Sequence, residues 1–262
     1  MNNVYIFLDF SNTTNELINN GELNKNLFDM FFNSIIELEN ICKIQTKLII
    51  TTGNNQASAE KILLNLDKGF SEKKRRDILE GIAFEYGGYF LTKEKKVFQL
   101  CFSRNNDSDT KNIISLSKEY GCSPINGYKS VLSFEMQNPT QNHINFIKNV
   151  KKVVKNSKLV EFNDKYGYGI DIVPKELSKT NFVENFLKDK TLFDFIIVGG
   201  DGEEDLNMLN TSFKSKTYFV GFDNCKVAGK NIFLSNKVNI EGITEALHAL
   251  SNSLIKQQKK DQ

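Results

Sequence analysis

Three apolar segments of the sequence, each short enough to be a buried strand, end on residues that could take part in chemistry. The segments and the residues that follow them are Val4–Leu8 with Asp9, Leu48–Thr51 with Thr52 and Gly53, and Phe195–Gly200 with Asp201. In open α/β sheets, ligands bind at the carboxyl ends of the strands. If the three strands are neighbours, these residues meet at one mouth, and Lys179 is a fourth candidate for the same site.

The acidic residues of this set suit metal-assisted chemistry on a phosphate. Asp9 and Asp201 offer hard anionic oxygens, and Mg²⁺ typically takes one or two carboxylates together with waters and substrate phosphate. A carboxylate can also attack phosphorus, which splits the displacement into two steps through an aspartyl phosphate. We therefore predict that Asp9 is a nucleophile and that Asp9 and Asp201 hold magnesium.

The other residues of the set suit phosphate binding. Thr52 and the amide groups of Gly53 and Asn54, at the predicted start of a helix, could cradle phosphate oxygens. Lys179 would place a positive charge beside the transferred group. Taken singly, each residue type is common in turns or on surfaces, so the prediction depends on their joint arrangement along the chain.

The string GGDGEEDLNML, which starts at Gly199, has a second interpretation. A glycine-rich turn between a strand and a helix could belong to a dinucleotide-binding fingerprint. The string lacks the third glycine of that fingerprint, and it carries four acidic residues where a pyrophosphate would lie: Asp201, Glu203, Glu204 and Asp205. Their repulsion of a pyrophosphate favours a metal site.

The elements that would position these residues follow from hydrophobic periodicity. Over residues 1–92 and 175–262, apolar β-branched runs alternate with segments of helical spacing, which predicts a parallel sheet. Between them, over residues 93–174, the predicted strands come in pairs. We predict an α/β fold whose doubly wound, Rossmann-like core comprises residues 1–92 and 175–262. An α+β domain of residues 93–174, called the insert below, interrupts that core.

Composition excludes several classes of protein. The 262 residues allow one large or two modest domains, and 34 Lys and Arg against 32 Asp and Glu give a net charge of +2. That charge argues against nucleic-acid or anionic-membrane binding as the main activity. Only two histidines, His143 and His248, are present, so a metal would be held mostly by oxygen.

Cysteine usage and hydropathy bear on the compartment. Four widely spaced cysteines without a C-x-x-C pair are expected to be reduced thiols: Cys42, Cys101, Cys122 and Cys225. The sequence contains no run of about 18 apolar residues and no signal-peptide pattern at its start. We therefore expect a cytoplasmic protein without a nucleic-acid or membrane partner, and nothing in the sequence indicates an oligomeric state.

On these residues the chain resembles the haloacid dehalogenase superfamily of phosphatases. The resemblance is to the branch with a large cap between the second and third motifs, which includes Cof-type, sucrose and trehalose phosphatases and phosphomannomutases. The first motif, D-x-D-x-T after an apolar strand, is similar to VYIFLDFSNT, from Asp9 to Thr13. LIITTGNN resembles the second motif with Thr52, VPKELSKTNFVENFL the third with Lys179, and Gly200–Asp205 the fourth, G-D-x-x-x-D.

The resemblance implies a Mg²⁺-dependent phosphatase that acts on a small phosphorylated metabolite, in this branch a sugar phosphate. The roles it implies are catalysis by Asp9, Ser11, Thr52 and Lys179, substrate binding by Thr13, Gly53 and Asn54, and metal binding by Asp9, the Ser11 carbonyl, Asp201 and Asp205. The insert would correspond to the cap, which sets substrate choice. Its candidates for hydrogen bonds to a sugar are Arg104, Asn105, Lys129 and Tyr168.

Two positions depart from the family pattern. The family's first motif has a second Asp that acts as general acid and base, and this chain has Ser11 there. A serine hydroxyl cannot shuttle the proton well, and general acid–base help contributes roughly 10²- to 10⁴-fold. Asn54 stands where many relatives have Arg, which removes one possible positive contact.

Three functions are compatible with this pattern. The first is a Mg²⁺-dependent sugar-phosphate phosphatase that is slowed by Ser11 or obtains its proton relay elsewhere. The second is a phosphatase-like protein that binds a phosphorylated ligand or a partner without useful hydrolysis. The third is phosphoryl transfer to a sugar hydroxyl, although those relatives also use the missing acid. The joint presence of five family residues favours the first function: Asp9, Thr52, Lys179, Asp201 and Asp205.

Overall fold

The structure is a computed structural model of the chain. It describes residues 3–19, 21–70, 73–100, 107–164, 167–190, 193–222 and 227–258. The strands are β1 (Asn3–Asp9), β2 (Ile18–Asn19), β3 (Glu22–Leu23), β4 (Gln45–Thr51), β5 (Leu79–Phe84), β6 (Tyr89–Thr92), β7 (Val97–Gln99), β8 (Leu132–Met136), β9 (Ser157–Asp164), β10 (Gly167–Pro174), β11 (Phe193–Gly200), β12 (Thr217–Phe222) and β13 (Ile232–Ser235). The helices are α1 (Lys25–Cys42), α2 (Gln56–Gly69), α3 (Lys73–Ile78), α4 (Asp107–Glu119), α5 (Gln141–Val153), α6 (Lys179–Leu187), α7 (Glu203–Asn207) and α8 (Asn239–Gln258).

Eight strands form one sheet in the order β13-β12-β11-β1-β4-β5-β6-β7. The six strands from β13 to β5 pair in parallel, and the hairpin strands β6 and β7 extend the sheet antiparallel. The chain starts at β1, runs outward through β4 and β5, and later returns to β11 on the other side of β1. The strand order therefore reverses at β1 and β11, which is where a doubly wound sheet opens its binding crevice.

Both faces of the large sheet are covered by helices. From Val4 to Asp9 every residue of β1 is buried, as expected for a parallel strand packed on both sides. Helices α1, α2 and α8 contribute to the hydrophobic cluster on one face, and α6 contributes Phe182, Val183 and Leu187 to the cluster on the other. The layered α/β architecture predicted from the alternation of elements is confirmed.

Helix α1 shows how local signals set one of these layers. Asn24 caps its N-terminus, with the side-chain oxygen accepting the amide of Leu27 at 3.3 Å. Apolar residues at helical spacing form its buried face: Phe28, Phe31, Phe32, Ile35 and Leu38. The helix ends at Lys43, whose left-handed backbone (φ 54°) is a common helix terminator.

The insert has a sheet of its own. Strands β8, β10 and β9 pair antiparallel in that order. Their apolar side chains pack with α4 and α5 in a cluster that includes Phe134, Phe146, Val150, Ile170 and Ile172. This is the α+β arrangement that the paired strands of the sequence predict.

Strand β7 falls inside the range predicted for the insert, residues 93–174. It pairs with β6 and is therefore part of the large sheet, which continues as far as Gln99. At the other end, β10 finishes at Pro174, and α6, which begins at Lys179, already packs on the large sheet. No helix in the described part of the chain has both the length and the apolar character needed to cross a membrane.

Candidate active site

Asp9 lies at the carboxyl end of β1, between the ends of β4 and β11. In the strand register Asp9 is opposite Thr51, and Leu8 is opposite Gly199. The chain then turns sharply, because Asn12 adopts a left-handed backbone (φ 52°) and the Thr14 hydroxyl donates to the Asp9 carbonyl at 2.9 Å. The residues at the three predicted strand ends are therefore neighbours.

Three carboxylates converge at this point. Asp9, Asp201 and Asp205 each place an oxygen within 4.8 Å of the others. Asp205 reaches the cluster from α7 and is held by the Gly202 amide, which donates to its Oδ2 at 3.1 Å. Gly200 makes room for Asp205, since a Cβ there would lie 2.1 Å from the Asp205 carboxyl carbon.

Lys179 connects two of these carboxylates. It is the first residue of α6, which Ser178 caps by accepting the Asn181 amide at 3.0 Å. The Lys179 ammonium group donates to Asp9 Oδ1 and, at 2.6 Å, to Asp205 Oδ1. Lys179, Asp9 and Asp205 are all buried, so the ion pairs are screened little by solvent.

The electrostatics of the cluster follow from burial and crowding. Burial raises the pKa of Asp9 to about 7, with Lys179 opposing the shift and Asp205 adding to it. Burial, followed by the charge of Asp205, raises the pKa of Asp201. Burial favours a lower pKa for Lys179, but Asp205 and Asp9 outweigh it and the pKa is raised. One ammonium group thus opposes three carboxylates in a largely buried site.

A divalent cation fits this donor set. The carboxylates are hard ligands, as Mg²⁺ requires, and the site carries more negative than positive charge. Asp9 and Asp201 are the residues that would hold the ion, with Asp205 beside them. Ser11 follows Asp9 by two residues in extended backbone conformation (φ −69°, ψ 132°), and its side chain is exposed.

The predicted phosphate cradle, which consists of Thr52, Gly53 and Asn54, adjoins Asp9. Thr52 is buried and follows β4, and its hydroxyl accepts the amide of Asn54 at 3.2 Å. The Thr52 amide donates to the carbonyl of Ala83 on β5, so the Asn54 and Thr52 amides both have acceptors within the protein. Gly53 and Asn54 are half-buried, and α2 begins two residues later with Asn55 as its cap.

Thr13 lies at the end of the first motif and is fully buried. Within the described part of the chain its hydroxyl has no hydrogen-bond partner. A buried hydroxyl without a partner costs free energy, and a ligand contact is one way to offset that cost.

Sequence reasoning missed the side chains that the insert brings to this mouth. The Tyr86 hydroxyl donates to Asp171 Oδ2 at 2.7 Å, and both residues are buried. Glu85, the preceding residue, accepts the amides of Lys129 and Ser130 with its carboxylate. The local sequence carries no signal for these contacts, because Tyr86 and Asp171 are 85 residues apart.

The residues of the insert that were predicted to hydrogen-bond a sugar make other contacts or lie outside the described residues. The Lys129 ammonium group donates to Gln56 at 2.7 Å and lies 5.1 Å from the centre of the Tyr89 ring. The Tyr168 hydroxyl is exposed and donates to Glu161. Arg104 and Asn105 fall outside the described residues.

The histidines and cysteines lie outside the carboxylate cluster or outside the described residues. His143 accepts the Thr140 amide at the start of α5, and His248 lies beside Glu37. Cys42 and Cys122 are free thiols, while Cys101 and Cys225 are outside the described residues.

Comparison with known proteins gives a match in structure alone. No family model matches the sequence, and no curated protein matches it. Among solved structures, a sugar phosphatase of haloacid dehalogenase subclass IIB is 14% identical, with 94% of this chain and 98% of that chain covered and a TM-score of 0.62. The sucrose-phosphatase of Synechocystis sp. PCC6803 is 12% identical, with 95% and 98% covered and a TM-score of 0.62.

A haloacid dehalogenase-like hydrolase from B. subtilis is also similar. It is 12% identical, with 94% of this chain and 99% of that chain covered and a TM-score of 0.61. The matched regions span nearly the whole of each protein, including the core and the insert. The fold of this chain is that of the haloacid dehalogenase superfamily, as the motif resemblance predicts.

Proposed function

We propose that the chain is a Mg²⁺-dependent phosphatase that hydrolyses a small phosphorylated metabolite, a sugar phosphate, through a covalent intermediate on Asp9. The observation that carries the proposal is the convergence of Asp9, Asp201 and Asp205 with Lys179 at the reversal of strand order. The solved structures of similar fold include proteins described as a sugar phosphatase and a sucrose-phosphatase. Their substrates support a sugar phosphate here.

The first step would be attack by the Asp9 carboxylate on phosphorus. A bond forms between an Asp9 oxygen and phosphorus, the bond from phosphorus to the ester oxygen breaks, and the alcohol leaves after taking a proton. Lys179 contacts Asp9 directly, so its charge favours the ionised carboxylate over the protonated one and would stabilise charge on the transferring group. Bound Mg²⁺ would neutralise the phosphate oxygens and so permit an anionic nucleophile to approach.

The second step would be attack by water on the aspartyl phosphate. The bond between phosphorus and the Asp9 oxygen breaks, inorganic phosphate leaves with the water oxygen, and the Asp9 carboxylate is regenerated. Both steps need a proton transfer. Ser11 has no titratable group for it, so we expect solvent or substrate to donate the proton to the leaving alcohol and to accept the proton of the attacking water, and turnover to be slow.

The second candidate function is phosphate-ester binding without useful hydrolysis. Ser11 favours it, because its side chain is exposed at the mouth and leaves the position of the general acid without an ionisable group. The binding residues Thr52 and Lys179 would serve either function.

The test is phosphate release from a panel of sugar phosphates in the presence and absence of Mg²⁺. We expect slow, Mg²⁺-dependent release by the parent protein and none by Asp9→Asn. Asp77→Asn is a matched control, since Asp77 is exposed and lies at the opposite end of the sheet, before β5. If neither the parent nor Ser11→Asp releases phosphate from any ester, the binding function replaces the enzymatic one.

A further inference from the structure

We propose that Tyr86 restricts the size of the group that carries the phosphate, and that Asp171 holds Tyr86 in position. The inference rests on the proposed phosphatase function and narrows its substrate class to compact esters, such as triose and hexose phosphates. Tyr86 would be a specificity-determining residue of the core, and Asp171 a positioning residue contributed by the insert.

Sheet order places Tyr86 beside the phosphate cradle. Along the carboxyl edge of the sheet, Asp9 follows β1, Thr52 follows the neighbouring strand β4, and Tyr86 follows β5. Thr52 and Gly53 therefore lie between the nucleophile and Tyr86. A phosphate carrier that extends from the cradle toward the end of β5 would contact Tyr86.

Backbone hydrogen bonds connect Tyr86 to the cradle. Its amide donates to the Thr52 carbonyl at 3.2 Å, and the Glu85 amide donates to the Asn54 carbonyl at 2.9 Å. The two loops thus form one hydrogen-bonded unit, and Tyr86 cannot move far without moving Thr52.

The Tyr86 ring covers Gly53. A Cβ built on Gly53 would lie 2.8 Å from Cζ of Tyr86 and 3.1 Å from its hydroxyl oxygen. No side chain larger than hydrogen fits between them. The ring therefore fills the space directly above the cradle backbone.

Asp171 fixes the ring there. Its Oδ2 accepts the Tyr86 hydroxyl at 2.7 Å, and the two residues are only 7% and 5% exposed. Tyr86 also has a left-handed backbone (φ 56°), which is uncommon for a bulky residue and costs free energy. The hydrogen bond from the insert offsets this strain and keeps the ring over Gly53.

The opposite flank of the cradle is less enclosed. Ser11, which follows β1, has an exposed side chain, whereas Tyr86 and Asp171 close the β5 side. A compact phosphate carrier would fit on the Ser11 side, and a carrier large enough to extend toward β5 as well would collide with Tyr86.

The experiment compares three esters of increasing size: glycerol 3-phosphate, a hexose 6-phosphate and a disaccharide 6-phosphate. We expect the parent to discriminate against the disaccharide ester by KM, and Tyr86→Asn to reduce that discrimination about tenfold or more. Asn tolerates a left-handed backbone, so this variant removes the ring without adding strain. Inorganic phosphate, which has no carrier, should inhibit the parent and Tyr86→Asn equally.

The role of Asp171 has its own readout. Tyr86→Phe and Asp171→Ala should each weaken the size preference, and combining them should add nothing, because both remove the same hydrogen bond. Asp171→Asn, whose side-chain oxygen can still accept the Tyr86 hydroxyl, should retain the parent preference. Tyr89→Phe is the matched control, since it removes a core–insert contact, to Ser130, that is not over Gly53.

The inference and the proposed function can fail separately. If the parent releases no phosphate, dissociation constants measured by calorimetry with Mg²⁺ replace KM, and the size preference is tested on binding. An unchanged preference in Tyr86→Asn, whether from KM or from binding, would overturn the inference. A preference that Tyr89→Phe changes as strongly as Tyr86→Phe would overturn it too.

Discussion

Ser11 is the residue with the largest consequence for the proposed chemistry. It lies two positions after Asp9 with its side chain exposed at the mouth. Asp9, Lys179 and Asp205 are meanwhile joined by buried ion pairs. For the proposed reaction, the groups that would bind phosphate are thus more complete than the groups that would transfer a proton.

Replacing Ser11 tests this imbalance. Ser11→Asp should raise phosphate release by about 10²- to 10⁴-fold, because it supplies a carboxyl group that can donate and accept the proton. Initial rates on the best ester of the panel measure the effect. Ser11→Asn is the control, since it has the same shape without a titratable proton and should give no gain.

Magnesium affinity should depend on pH through Asp9. Burial raises its pKa to about 7, and a metal ligand must be deprotonated to bind. Below pH 7 the proton competes with Mg²⁺, so the apparent affinity should fall by about tenfold per pH unit and level off above that pH. Calorimetric titration from pH 5.5 to 8 measures it. Asp9→Asn should bind more weakly, and its affinity should depend less on pH near 7.

The stability of the metal-free protein should show the opposite pH dependence. The pKa of Asp9 is raised on folding, so without Mg²⁺ its contribution to the free energy of unfolding is largest at low pH and is lost as pH rises through about 7. Bound Mg²⁺ would offset that loss, since a ligand at 100 times its dissociation constant stabilises by about 2.7 kcal/mol. A melting temperature at pH 8 that does not change when Mg²⁺ is added would contradict the metal site.

Among the elements, the turn between β5 and β6 connects the site to the insert. Glu85, Tyr86 and Gly87 all have positive φ values, of 49°, 56° and 86°. This backbone places the Glu85 carboxylate under the Lys129 and Ser130 amides of the insert and the Tyr86 ring over Gly53 of the core. A single short turn therefore connects the insert to the phosphate cradle.

Glu85→Ala should loosen this connection. The amides of Lys129 and Ser130 lose their acceptor, and leaving the buried Ser130 donor unsatisfied costs about 1–3 kcal/mol. Hydrogen exchange of these two amides should accelerate, and urea unfolding should show the lower free energy. Glu85→Gln retains one acceptor oxygen and should give an intermediate result. Unchanged exchange in Glu85→Ala would mean that the contact does not form in solution.

For the molecule as a whole, the division into core and insert determines what the site can do. The large sheet supplies Asp9, Thr52, Lys179 and Asp201 through its strand ends and adjoining helices. The insert has a separate hydrophobic cluster around Phe134 and contributes Asp171 to the mouth. The core therefore supplies the carboxylates and the Tyr86 ring, and the insert supplies the Asp171 carboxylate that accepts the Tyr86 hydroxyl.

This division predicts that mutations in the two hydrophobic clusters have separable effects. Phe134→Ala should cost about 3–5 kcal/mol and accelerate hydrogen exchange in α5 and β10, while Mg²⁺ binding by the core persists. Phe32→Ala, at an equally buried position of α1, should accelerate exchange in α1 and β1 instead. Equal acceleration in both regions by Phe134→Ala would show that core and insert unfold as one cooperative unit.

Much of the site is predictable from the sequence, because its residues come directly after the apolar runs that mark the ends of strands. Asp9, Thr52 and Asp201 each follow a short apolar run, and parallel strands bring their carboxyl ends together whatever the details of packing. Strand–helix alternation likewise predicts the doubly wound sheet. The expected insert also has the predicted α+β composition.

Only the tertiary structure decided how those residues contact one another and what faces them. Lys179 lies between Asp9 and Asp205 because α6 packs on the sheet at that point. Tyr86 and Asp171 meet across 85 residues of chain, and no local periodicity encodes a contact between a turn of the core and a strand of the insert. The sequence determines which groups can do chemistry because strand ends are set by local patterns. The side chains that surround the site are placed by packing between segments that are distant in sequence.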